Sequence, residues 1–119
     1  MEWVIDKDRP IRPQLCEQLS LRIARGEAAP DEKLPSVREI AVAAGVNPNT
    51  VQRALEELEQ QGLLYSVRGS GWFVSDNVAA ARETLREMMA AKTAAYFEAM
   101  RLLGMDEEAV KTFVKEWDV

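Results

Sequence analysis

Asn47, Asn49, Thr50, Gln52 and Arg53 fall within residues 40 to 55, a stretch without Asp or Glu. Carboxamides, a hydroxyl and a guanidinium at this spacing are groups that recognise rather than groups that react. Asn and Gln offer a donor and an acceptor side by side, which suits adenine, and Arg offers a donor fork, which suits guanine. A second acid-free stretch, residues 60 to 75, holds Arg68 beside Gly69. A cation at the tip of a thin loop fits a minor groove. The hydroxyls of Ser36 and Thr50, with the amino ends of the helices that carry them, suit phosphate oxygens.

Bond-making chemistry is poorly supplied. Among 119 residues there is no histidine and one cysteine, Cys16. That removes Ser-His-Asp and Cys-His catalysis and leaves no ordinary zinc ligand set. It also rules out an internal disulfide and points to a reducing, cytoplasmic compartment. The acid clusters Glu56-Glu57-Glu59 and Asp106-Glu107-Glu108 read as solvated or helix-capping groups. No enzyme activity, cofactor or metal is expected. The longest apolar run falls far short of the roughly 20 residues a membrane helix needs. The opening Met1-Glu2-Trp3-Val4-Ile5-Asp6 meets a charge too soon for a signal segment.

The net charge of −5, from 15 Lys and Arg against 20 Asp and Glu, runs against nucleic-acid binding. The local field at the binding face matters more. Glu56, Glu57 and Glu59 fall at the far end of one predicted helix, away from its acid-free start. The overall acidity predicts weak non-specific DNA affinity, because few phosphates would be neutralised.

Periodicity supplies the elements that must position these groups. Leu15, Leu19 and Ile23, with Cys16 beside them, mark one buried stripe on a helix from about Pro13 to Arg25, closed by Gly26. Ser36-Val37-Arg38-Glu39 is a capping box that opens a short helix ending at Gly45, with Val37, Ile40, Ala41 and Ala44 inward. Asn47 caps a third helix, Pro48 takes its first position, and Gly62 ends it. Its inward face is Val51, Ala54, Leu55 and Leu58, so Asn49, Gln52, Arg53 and Glu56 face out. The short turn around Gly45-Val46-Asn47 makes helices two and three a helix-turn-helix. Leu63 to Val67 and Trp72 to Ser75, joined by Arg68-Gly69-Ser70-Gly71, form a hairpin, the wing. Trp3-Val4-Ile5 is either a further strand or a clamp against the core.

From about Val78 to Leu103 there is no Gly or Pro, which predicts one long helix spanning about 39 Å. Gly104 ends it and Asp106-Glu107-Glu108 opens a last helix. Leu85, Met89, Tyr96, Met100 and Leu103 on the first, and Val110, Phe113, Val114 and Trp117 on the second, are the expected contact positions. Two such helices cannot enclose a core alone, and a second copy is the simplest cover. The expected fold is thus mainly α with a small β-hairpin. A winged helix-turn-helix covers residues 1–76, and a two-helix dimerisation tail covers residues 77–119.

Several blocks together carry a resemblance. They are Pro10-Ile11, Gln14-Leu15, Gly26, Leu34-Pro35-Ser36-Val37-Arg38-Glu39-Ile40-Ala41, Gly45-Val46-Asn47, Thr50-Val51, Ala54, Leu58-Glu59, Gly62 and Gly69-Ser70-Gly71-Trp72-Phe73-Val74. In order and spacing they resemble the N-terminal domain of GntR-family transcription regulators, and the short tail resembles the YtrA subfamily. The chain departs from the family pattern at Arg12-Pro13, at Pro30-Asp31 and at Pro48-Asn49. The resemblance implies a bacterial, sequence-specific DNA-binding regulator, expected to be a repressor that binds a palindromic operator as a homodimer. It also implies that Arg38 contacts DNA. The rival reading is a winged-helix module that binds protein instead of DNA. The tail looks too small for a ligand pocket of about 300 Å³ within one chain, so any small-molecule effector is expected between two copies.

Overall fold

The computed structural model describes residues 1–118 and contains five helices and one hairpin. Helix α1 (Ile11–Ala24) buries Leu15, Leu19 and Ile23, with Cys16 half-buried beside them. It starts ahead of Pro13, because the first-turn N–H groups of a helix have no intrahelical acceptor and proline loses nothing there. Helix α2 (Val37–Ala44) carries the complete capping box. Ser36 Oγ accepts from Glu39 N–H, and Glu39 Oε1 accepts from Ser36 N–H, both at 3.1 Å. These bonds hold the Glu39 carboxyl below the usual carboxylate range, the backbone N–H of Ser36 being the larger cause. Gly45 closes α2 with φ 68°, a left-handed conformation that favours glycine.

Helix α3 (Pro48–Gln60) is capped by Asn47, whose Oδ1 accepts from Asn49 N–H at 2.7 Å. Val51, Ala54, Leu55 and Leu58 are all buried. Strands β1 (Leu64–Val67) and β2 (Gly71–Val74) pair antiparallel with Leu64 opposite Val74 and Val67 opposite Gly71. Their inward residues, Leu64, Trp72 and Val74, join Leu63 and the helices in one core.

The hairpin has a further neighbour. Asp31 N–H donates to Val74 O at 2.8 Å, Val74 N–H to Glu32 O at 2.9 Å, and Leu34 N–H to Trp72 O at 2.9 Å. This segment satisfies the outer edge of β2, with Lys33 bridged to Phe73. Asp31 enters it at φ 64°, a left-handed conformation that Asp tolerates better than most residues, and Tyr65 Oη donates to its Oδ1 at 2.8 Å.

The leading residues are a clamp, not a strand. Val4 and Gln18 exchange bonds of 3.0 and 2.6 Å, and Asp6 and the buried Gln14 exchange two of 2.8 Å. The Arg22 guanidinium lies 4.6 Å from the centre of the Trp3 ring. Lys7 Nζ donates to Gly45 O, which ties the clamp to the turn of the helix-turn-helix.

The compact N-terminal unit runs from Met1 to Leu85, past the boundary expected at residue 76. Ala80 and Ala81, at the start of helix α4 (Val78–Leu102), pack against its core, and Asn77 Oδ1 accepts from Ala80 N–H at 3.0 Å. A second unit begins at Arg86 and holds the rest of α4 with helix α5 (Glu107–Lys115), capped by Asp106. Val110 corrects an expectation. It is 1% exposed in the single chain, so it is buried before any partner is added.

Candidate nucleic-acid interface

Burial of the Val51-Ala54-Leu55-Leu58 face turns the polar face of α3 outward. Asn49 and Arg53 are exposed, and Thr50 and Gln52 are half-buried. Ser36, Arg38 and Asn47 are exposed at the two helix starts, and Arg68 and Gly69 are exposed at the hairpin tip. All nine residues belong to the N-terminal unit. At the tip, Ser70 N–H donates to Val67 O at 2.9 Å and closes the turn. A Cβ on Gly69 would meet nothing within 4 Å, so its φ of 80° rather than crowding calls for glycine.

The charges on this surface are unevenly paired. Among the described residues, Arg38, Arg53 and Arg68 have no carboxylate within ion-pair distance, and the ion pairs found involve other cations. Two of the three α3 acids are turned to the scaffold. Glu57 Oε2 lies 3.7 Å from Arg12 Nε and 3.1 Å from Cys16 Sγ. Glu59 Oε2 accepts from the Ser66 hydroxyl at 3.0 Å. Glu56 stays on the outward face, where Gln52 Nε2 donates to its Oε1 at 3.0 Å.

The two helix amino ends differ. At α3, Pro48 has no N–H, Asn49 N–H is taken by Asn47, and Thr50 N–H donates to Asn47 O at 3.0 Å. The backbone donors of that end are taken within the chain. At α2 the N–H groups of Val37 and Arg38 have no acceptor among the described residues, and Arg38 adds its guanidinium. Orphan donors and the positive helix pole therefore coincide at the start of α2. Two cations escaped the sequence reading. Lys33 runs along the hairpin, its Cε 3.5 Å from where a Cβ on Gly71 would stand, and Lys7 sits at Gly45. Their positions just ahead of the Pro10-Ile11 and Leu34-Pro35-Ser36 blocks were the available signal.

Residues 12–74 match the family model described as bacterial regulatory proteins, gntR family. The chain belongs to the GntR family. It is 33% identical to the uncharacterized HTH-type transcriptional regulator YhcF of Bacillus subtilis, over 97% of this chain and 98% of that one. It is 42% identical to the HTH-type transcriptional repressor YtrA of the same organism, over 66% of this chain and 58% of that one. The DNA-binding domain of AraR in complex with operator ORE1 superposes with a TM-score of 0.53 at 34% identity, covering 63% of this chain and 94% of that one.

As a GntR-family member the protein is a DNA-binding transcription regulator and not an enzyme. The family does not favour the protein-binding alternative. No described helix is long and apolar enough to cross a membrane.

The expected contact positions of the tail divide. Leu85 lies in the N-terminal unit, half-buried, and lines a cavity of about 250 Å³ with Ile23, Val74 and Ala81. Met89, Tyr96, Leu103, Phe113, Val114 and Trp117 are exposed, and Met100 is half-buried. Against the expectation of no sizeable pocket, the second unit carries two open grooves. One, of about 650 Å³, is lined by Phe97, Arg101, Met105 and Lys111. The other, of about 620 Å³, is lined by Thr93, Tyr96, Phe97 and Val114.

Proposed function

We propose that the protein is a cytoplasmic repressor of the YtrA kind that binds a palindromic operator as a homodimer. Asn49, Gln52 and Arg53 read base edges in the major groove, as the amino-terminal half of a second helix does in this architecture. Arg38 and Ser36 hold phosphates at the start of α2, with the Thr50 hydroxyl and Asn47 at the start of α3. Arg68 and Gly69 enter the minor groove. The observation that carries this reading is that the outward face of α3, the start of α2 and the hairpin tip hold three arginines that form no ion pair among the described residues of an otherwise acidic chain.

A helix of 25 residues that fully buries none of them supports dimerisation, as do the exposed Leu103 and Trp117, at 74% and 61%. A second copy covers these faces and supplies the second reader that a palindrome needs. The grooves beside Phe97 are where a small effector would meet the tail.

The test is a gel shift on the promoter of its own operon. Arg38→Ala and Arg68→Ala are expected to weaken binding and each to lower the slope of affinity against salt by about one. Full-strength binding by both variants would defeat the assignment.

A further inference from the structure

Glu56 is the one α3 acid that the scaffold does not use, and it stands on the face that meets DNA. A carboxylate there repels every phosphate it approaches, whatever the sequence, so its presence needs a reason. The geometry points to one. We infer that Glu56 is a positioning residue that fixes the Gln52 carboxamide for adenine, an inference that rests on Gln52 being a base reader.

The chemistry is constrained. An ionised carboxylate only accepts hydrogen bonds, so the Gln52 atom that faces Glu56 at 3.0 Å must be the amide nitrogen. A free carboxamide turns over about its last torsion and can exchange its donor and acceptor ends. Bonded to Glu56, it cannot do so without losing a charge-assisted bond. One N–H is used. One N–H and the carbonyl oxygen remain, and these are the donor and acceptor that adenine N7 and N6 take together. Gln52 and Glu56 are four residues apart, on the same face and one turn apart, so helix geometry alone brings them together. Other partners are absent. Glu56 forms no ion pair among the described residues, although Arg53 is three positions away. Glu56 thus sets the order of the reading groups and lowers affinity for unselected DNA at the same time. Both effects raise the ratio on which regulation depends.

The experiment is selection by the full chain from duplexes randomised over roughly two helical turns, followed by sequencing of the retained molecules. Gln52→Ala should abolish the base preference in one column of each half-site. Glu56→Ala should reduce the preference in that same column by about fivefold or more. Glu56→Gln keeps an accepting oxygen but adds a donor that can hold either end of the Gln52 carboxamide, so it should retain part of the preference that Glu56→Ala loses while binding unselected duplex more tightly. Rescue by this variant separates positioning from a loss of structure. If Gln52→Ala changes a column that Glu56→Ala leaves intact, the inference is overturned and the base reader stands. If Gln52→Ala changes no column, the base-reading assignment falls and the inference with it.

Discussion

At the scale of single residues, Cys16 illustrates how the scaffold disposes of reactive groups. Its thiol is half-buried, donates to Glu57 Oε2 at 3.1 Å, and reaches Ala54 O at 3.6 Å. Burial and the Glu57 carboxylate both oppose the thiolate, and the pKa is pushed up from 9.0 to about 12. Thiol reagents attack the thiolate. Iodoacetamide at about pH 8 should therefore label the native protein far more slowly than the protein in urea, and equal rates would show that the site is open. The sign for stability follows from linkage. The folded state holds the proton more tightly than the unfolded one, so this contribution is complete below pH 9.0 and is lost as pH rises toward about 12. Cys16→Ser, which does not titrate in that range, should flatten the alkaline fall in urea stability. The same Glu57 also receives Arg12 at 3.7 Å, which shows how an acid of the third helix is held toward α1.

At the scale of elements, the start of α3 depends on its cap. Asn47 Oδ1 satisfies Asn49 N–H, which Pro48 leaves as the first N–H of the helix. Asn47→Ala should cost about 1 kcal/mol and lower the urea midpoint without changing its slope, while Asn47→Ser should retain most of the stability. An unchanged midpoint in the alanine variant would mean that the cap contributes nothing. Features of this local kind were legible in the sequence. The capping box at Ser36, the cap at Asn47 and the inward stripes of α1 and α3 depend on residues within two turns of one another. The segment at residues 31–34 was not legible, because its hydrogen bonds go to β2, far along the chain, and it lies between Pro30 and Pro35 with a left-handed Asp31. The amino-terminal clamp was hidden for another reason. It is held by Gln14 and Gln18, side chains that a hydropathy pattern assigns to solvent. At the candidate interface, the inward face of α3 determined which side chains point out. It placed Glu56 on the outward face, but it could not show that Arg12, Cys16 and Ser66 reach Glu57 and Glu59 from other elements. The apolar stripe of α5 identified a buried face but not its cover, and of that stripe Val110 is buried within the chain while Phe113, Val114 and Trp117 are exposed.

At the scale of the whole molecule, a chain of net charge −5 must gain DNA affinity by means other than bulk attraction. One reading head with few cations neutralises few phosphates and binds weakly at physiological salt. Two heads joined by a stable dimer turn the second contact into an intramolecular event, which can raise overall affinity by about 10²–10⁴ without new contacts. The tail is the natural place for that junction, since α4 fully buries no residue and Phe113 and Trp117, 5.6 Å apart, remain exposed. The structure also says where to cut. Ending the chain at residue 76 would remove Ala80 and Ala81 from the core, so the informative truncation keeps residues 1–85. Sedimentation velocity should give a monomer for this truncation and a dimer for the full chain. The truncation should still bind a duplex carrying one half-site, but lose most of the advantage that the full chain draws from a palindrome. A dimeric truncation would move the junction into the winged unit, and a monomeric full chain would leave the palindrome without a second reader.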